Sequence, residues 1–260
     1  MTEQPPVPRD AATVLLLRDG TAGLQVYLLR RVTGMAFAGG VYAYPGGGVD
    51  VRDSAADIGW AGPDAAAWGQ RLGCSTELAR ALVCAAVRET FEESGVLLAG
   101  PDPTTVLGDV SSDEWEQRRL ELESHELAFG ELLEQTGLVL RTDLLRPWAR
   151  WITPAEEPRR FDARFFVAAL PSGQSTRDIS TEADRVSWAR PGDMLDALGR
   201  KEIRLMPPTR ETMKAIAVHG SVADVLAAAD ARDLAPVRPR VITDAEGTRV
   251  LLPTDPGYDA

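Results

Sequence analysis

The chain has 260 residues, of which 44% are hydrophobic and 26% charged, and a formal net charge of −11. That length suits one large domain or two small ones, and the negative balance argues against a general nucleic-acid or anionic-membrane binder. No apolar run approaches the ~20 residues of a membrane-spanning helix, and the polar, Pro-rich stretch from Met1 to Asp10 is not a signal peptide.

Cys74 and Cys84 have no metal-site spacing and no paired His. Two buried thiols in a cytoplasmic protein are the expectation. Ala12 to Leu17 and Leu24 to Leu29 are short apolar runs on either side of Asp19-Gly20, which predicts a hairpin. Arg30 and Arg31 close the second strand, either as phosphate-binding cations or as a strand-end surface pair. A loop through Ala36 and Phe37 leads to a short strand, Val41 to Tyr44, and then to Pro45-Gly46-Gly47-Gly48. Three consecutive glycines are unfavourable inside a regular element. They suit a turn in which backbone approaches a ligand or another strand. Residues 51–76 read as a surface excursion: a loop, a short helix, and Thr76 capping the helix that follows.

That helix ends in Ala85-Ala86-Val87-Arg88-Glu89-Thr90-Phe91-Glu92-Glu93-Ser94-Gly95-Val96. Residues three and four apart share a helix face, so Glu89 neighbours Glu92 and Glu93, and Arg88 neighbours Glu92. Val87 and Phe91 point to the core, and Gly95 is a C-terminal stop. Like charges this close cost free energy unless something neutralises them, and Mg²⁺ or Mn²⁺ does so with oxygen ligands. The competing reading is a solvated acidic face.

Asp113 to Gln135 reads as one or two helices within an inserted segment, 107–145. Pro147 to Pro154 is an aromatic loop ending in a strand. Phe161 to Leu170 is a strand in which Arg164 is either a solvated edge residue or a pocket cation. Glu182 to Trp188 enters another strand, and Pro191 opens a helix to Gly199. Pro208 to His219 and Ser221 to Ala229 are terminal helices, and 230–260 is an extended arm. With no repeat and no linker, residues 1–260 read as one domain.

The order Pro-Gly-Gly, then Arg-Glu-x-x-Glu-Glu-x-Gly, resembles the Nudix box, the signature of the Nudix hydrolases. The spacing departs from it. An ordinary box sets its opening Gly 14 residues before its Arg, whereas Gly48 and Arg88 are 40 apart (88 − 48). The Glu expected eight residues before the Arg falls on Arg80, so the leading Glu is absent or displaced. An interrupted box is similar to one branch, typified by a mammalian peroxisomal coenzyme A diphosphatase. Trp148-Ala149-Arg150-Trp151 and Arg160-Phe161-Asp162-Ala163-Arg164-Phe165-Phe166 also look like that branch.

The resemblance implies an α/β fold, a Nudix-type α/β/α sandwich with a mixed sheet, helical insertions and terminal helices. It implies Glu89, Glu92 and Glu93 as ligands of Mg²⁺ or Mn²⁺, and Arg88 as the residue orienting Glu92. Glu89 is the first choice of general base and Glu182 the second. Gly46 and Gly47 would let backbone approach the phosphates. Arg30, Arg31, Arg160 and Arg164 are candidate substrate cations, and Trp148, Trp151 and Phe37 candidate walls of an apolar channel. The implied reaction is hydrolysis of a nucleoside diphosphate linked to another group, with coenzyme A or an acyl-coenzyme A first. ADP-ribose, NADH or another nucleotide comes second, and a non-catalytic nucleotide-binding regulator third. The expected partner is this small molecule, without nucleic acid or membrane; a homo-oligomer stays open.

Overall fold

The computed structural model describes residues 5–31, 40–53, 58–177, 183–244 and 247–258. Its central strand is β1 (Arg9–Gly20), whose apolar residues Val14 to Leu17 are buried on both faces, as in any strand covered on two sides. The chain turns back into β2 (Gly23–Arg31), with Gly23 at a φ of 104°, a conformation that costs glycine little. β2 pairs only with the last residues of β1, Leu17 to Gly20. The earlier part of the same edge is therefore open. After β3 (Tyr42–Ala43), which lies on β2, the glycine strand β4 (Gly46–Gly48) takes that edge, with Ala12 opposite Gly47 and Thr13 opposite Gly46. A Cβ at Gly46 would stand 2.5 Å from the Ala12 carbonyl oxygen and 2.7 Å from Thr13 Cα, so this close approach requires glycine.

Next come a 3₁₀ turn (Val51–Asp53), β5 (Trp60–Ala61), α1 (Ala65–Leu72) and the long helix α2 (Thr76–Ser94). Residues 51–76 are not the surface excursion expected. Trp68 and Leu72 of α1 are buried in the main core, with Trp68 edge-on to Phe166 at 5.9 Å. Burying two such side chains favours packing over solvation by several kcal/mol, at ~1.5–3 each. The cap of α2 is also one residue earlier than expected: the Ser75 hydroxyl accepts from Leu78 N–H. The helix stops at Gly95, φ 72°, whose N–H donates to the Phe91 carbonyl.

β6 (Ala99–Gly100), α3 (Asp113–Glu123), α4 (Phe129–Thr136) and β7 (Val139–Arg141) follow, and β5, β7 and β6 form a small separate sheet. The main sheet is completed by β8 (Leu145–Ile152), β9 (Phe161–Ala169) and β10 (Ala183–Ala189). After helices α5 (Pro191–Gly199), α6 (Pro207–Ala217) and α7 (Val222–Ala229) comes β11 (Pro236–Val237). Its order is β10-β2-β1-β9-β8-β11. β1 with β9 and β8 with β11 are parallel and the other pairs antiparallel, so the sheet is mixed.

Two cores flank it. Val14, Leu16, Leu82, Phe91 and Phe166 lie on the α2 side, and Leu15, Leu17, Trp148, Phe165 and Met213 on the side of α6 and α7. This is the α/β/α sandwich that the resemblance implied. Two expectations need correction. The tail is not an extended arm: β11 extends the sheet, and β12 (Arg240–Asp244) pairs with β13 (Gly247–Leu251) as a hairpin. Trp148 lines no channel, because it is buried in the second core, whereas Trp151 lines a cavity of about 250 Å³ with Arg150, Thr212, Arg232 and Leu252, to which α2 contributes no residue. Among the described residues no helix is long and apolar enough to cross a membrane.

Candidate active site

The last two turns of α2 lie against the glycine strand. Gly46 N–H donates to Glu93 Oε2 at 2.8 Å. A Cβ at Gly47 would fall 2.6 Å from the Glu89 carboxyl carbon. The missing side chains thus admit two carboxylates to the backbone of the loop. Arg88 ties the remaining pieces together. Its Nε and Nη2 donate to the two oxygens of Asp53, both at 3.0 Å, and Nη2 also donates to the Gly48 carbonyl at 2.9 Å. Its Nη1 donates to Glu89 at 2.8 Å and to Glu92 at 3.2 Å. The interrupted box is therefore closed in space.

Asp53 is the residue that the sequence reading missed. It is 5% exposed and holds Arg88 by a two-pronged pair, the strongest geometry available to a guanidinium. Counting back eight residues from Arg88 reached Arg80, on the far side of the interruption. Counting forward from the loop finds the acid instead, because an ordinary box sets its Glu six residues after its Gly (14 − 8). Six residues after Gly48 is Ser54, and taking Gly47 as the opening glycine instead brings the count to Asp53.

Asp53, Glu89 and Glu92 share one buried arginine, with Glu93 beside them on Gly46. Loss of solvent raises the Glu89 carboxyl to about 7, with Arg88 opposing and Glu92 reinforcing the shift. Burial likewise raises Glu92 against the pull of Arg88. Burial alone would lower the Arg88 guanidinium, but its bonds to Asp53 and the charges of Glu89, Asp53 and Glu92 outweigh that and keep it protonated.

The other candidates are more scattered. Arg30 is half-buried near the end of β2, opposite Tyr42 and Arg185. Arg31 ends that strand opposite Ala183, and its side chain is outside the description. Glu182, Ala36 and Phe37 lie outside the described residues. Arg164 is neither a solvated edge nor an open pocket cation. It is 2% exposed and pairs with Asp162 at 2.6 Å and Asp10 at 3.2 Å, while Asp162 also takes two bonds from Arg150. A buried guanidinium needs such partners, and here two aspartates already neutralise two arginines.

Among the described residues no three acidic, His or Cys side chains converge on a point that would hold a metal ion, because Arg88 and Gly46 N–H engage the glutamates. The donor chemistry nonetheless fits a hard divalent cation. It consists of oxygen ligands only, with three carboxylates on one buried arginine and Glu93 next to them, beside a glycine backbone that leaves room.

Residues 69–215 match the family described as the NUDT19 Nudix domain, more than half of the chain. The chain belongs to the Nudix superfamily, in its NUDT19-like branch. The acyl-coenzyme A diphosphatase NUDT19 of Gallus gallus is 25% identical over 303 residues, covering 96% of this chain and 79% of that one. The Homo sapiens protein of the same name is 27% identical over 278 residues, covering 91% and 72%. The Xenopus laevis protein is 23% identical over 224 residues, and the chain spans 59% of its length. Among solved structures, a NUDIX hydrolase from Alicyclobacillus acidocaldarius superposes with a TM-score of 0.71 at 27% identity, covering 85% of this chain and 96% of that one.

Proposed function

We propose that the chain is a Mg²⁺- or Mn²⁺-dependent diphosphatase acting on coenzyme A or an acyl-coenzyme A. The observation that carries the chemistry is the bond from Gly46 N–H to Glu93. It joins the glycine loop to the acidic helix despite the long interruption between them. Similarity to proteins named acyl-coenzyme A diphosphatase supports the substrate.

In this reading Glu89, Glu92 and Glu93 would hold the ion. A bound divalent ion supplies charge neutralisation at the diphosphate and at the attacking water. Arg88, fixed by Asp53, keeps Glu92 ionised and oriented. The backbone of Gly46 and Gly47 gives the phosphates room to approach. Glu89, beside the glycine loop, is the first choice to take the proton as water attacks phosphorus. The bridging P–O bond breaks, giving 3′,5′-ADP and 4′-phosphopantetheine or its acyl form. Arg30 and Arg31 remain candidates for the phosphates. Arg164 does not, since its charge is spent. The free thiols Cys74 and Cys84 support a reducing compartment, the cytoplasm in this reading.

The test is a panel of coenzyme A, acetyl-coenzyme A, ADP-ribose, NADH and a nucleoside triphosphate with either ion, with products read by mass. A coenzyme A species should lead. A kcat/KM about 10-fold higher for ADP-ribose or NADH, about 1.4 kcal/mol of transition-state preference, would end the coenzyme A assignment.

A further inference from the structure

The carboxylates of α2 sit at the wrong end of their helix. The partial negative charge of a helix C-terminus disfavours acids there, yet Glu89, Glu92 and Glu93 crowd the last two turns, and the last turn has no base of its own. What comes from α3 is a hydrogen-bond donor rather than a net counter-charge, since Glu116 and Glu123 pair with the same guanidinium and Glu123 adds to the burial that raises the Glu92 carboxyl. Arg119 is 1% exposed, and its Nη1 donates to the main-chain carbonyl of Glu92 at 2.9 Å, one of the terminal carbonyls that a helix leaves without an internal partner. The rest of the guanidinium is gripped by α3 itself, by Glu116 at 2.8 and 3.1 Å and by Glu123 at 2.8 Å. Arg177 reinforces the arrangement. Its side chain pairs with Glu116 at 3.0 Å, and its backbone N–H donates to the Ser94 carbonyl at 2.9 Å. Beside this, Trp115 of α3 meets Phe91 of α2 edge-on at 6.1 Å.

We propose that Arg119 is a positioning residue. From the inserted helix it clamps the last turn of α2, and so sets where Glu92 and Glu93 stand against Arg88 and Gly46. The activity arm of this inference rests on the diphosphatase reading above; the binding and exchange arms do not. The clamp touches backbone, not substrate, so its loss should loosen the geometry and leave substrate affinity alone.

The experiment compares wild type with Arg119→Met and Arg119→Lys. Three quantities are read below the melting temperature: kcat and KM, Mn²⁺ affinity by paramagnetic resonance, and hydrogen exchange at the amides of Glu92 to Ser94. For Arg119→Met we expect kcat to fall about tenfold with KM within about twofold, on the scale of a small misplacement of reacting groups. We also expect Mn²⁺ to bind about tenfold more weakly and the amides to exchange faster. The Mn²⁺ result discriminates, because removing a nearby cation by charge alone would tighten Mn²⁺ binding. Arg119→Lys keeps the charge and a donor but not the fork, and should fall between the two; it decides the matter if the Met variant does not fold. A Met variant with wild-type kcat and Mn²⁺ affinity, or a Lys variant equal to wild type in all three readings, overturns the proposal. If wild type hydrolyses nothing in the panel, the diphosphatase reading fails, and Mn²⁺ affinity and exchange still decide the clamp.

Discussion

Arg88 and Arg164 are both buried, with side chains 8% and 3% exposed, and they are satisfied in opposite ways. Arg164 belongs to a closed account: Asp10 and Asp162 face Arg164 and Arg150, two charges against two. Arg88 faces Asp53, Glu89 and Glu92, with Glu93 next to them on Gly46. A balanced buried cluster holds strands together, here with the Arg164 Nε still unpartnered. Burial raises Glu89 and Glu92 in the unbalanced cluster and Asp10 in the balanced one, but Asp162 is held below the usual carboxylate range, against burial, by Arg150 and Arg164, and the excess of acid on Arg88 is what favours an added cation. Such imbalance in titratable groups marks functional sites more often than structural ones. Pairing alone, which both arginines have, does not separate the two cases; the count of charges does.

The comparison can be broken most sharply by removing each arginine. Arg88→Met strands Asp53, Glu89 and Glu92, and should cost about 3–5 kcal/mol in metal-free protein, the range for uncovering buried charge. Millimolar Mn²⁺ should then raise its melting temperature more than it raises that of wild type. Arg164→Met leaves Asp162 with Arg150 and a partly exposed Asp10, so about 1–3 kcal/mol is expected. Its kcat and its response to Mn²⁺ should match wild type. Denaturant melts with and without Mn²⁺ check both, and equal Mn²⁺ responses in the two variants would erase the distinction.

Smaller effects come from the loop that sharpens it. Gly46→Ala drives a methyl into the backbone of Ala12 and Thr13, and should cost about 1–3 kcal/mol, as overpacking does. Gly47→Ala meets the movable end of Glu89 instead. It should leave stability within about 1 kcal/mol while lowering turnover, because Glu89 must move. Gly48→Ala has no atom within 4 Å of the new methyl and should change neither. Melting curves and kcat for the three variants form the check. An inactive Gly48→Ala beside an active Gly47→Ala would contradict the assigned roles.

What could be read from the sequence follows the range of the interaction. Glu89, Glu92 and Glu93 were legible because helix geometry puts neighbours on one face, and the close approach of the glycine run because only glycine permits it, although the run forms a short strand on β1 and not the turn expected. Helices at Pro191 and after Ser221 announced themselves by proline and cap chemistry. Asp53 was not legible by counting back from Arg88, since 35 residues separate the pair. Arg164 has one partner two residues away, Asp162, and one 154 residues away, Asp10, and nothing local to β9 announces the second. Trp148 looked like a channel wall as a motif, but the sheet turns it into the second core, and only Trp151 lines a cavity. The tail misled for a related reason. Its prolines suggest an arm, whereas β11 finds an edge of the sheet and β12 pairs with β13.

The central claim is that the unbalanced acidic cluster at the end of α2 is where a divalent ion is held and the diphosphate is cut. Glu93→Gln tests it most directly, because an amide oxygen can still accept from Gly46 N–H while the charge is gone. Mn²⁺ binding, Mn²⁺-dependent hydrolysis of coenzyme A and the melting temperature in chelator are measured on wild type and this variant. The account predicts a turnover lower by ~10²-fold or more, weakened Mn²⁺ binding, and a metal-free melting temperature held or raised as carboxylate repulsion is relieved. Full activity in Glu93→Gln, or hydrolysis by wild type that is untouched by chelator, would contradict it.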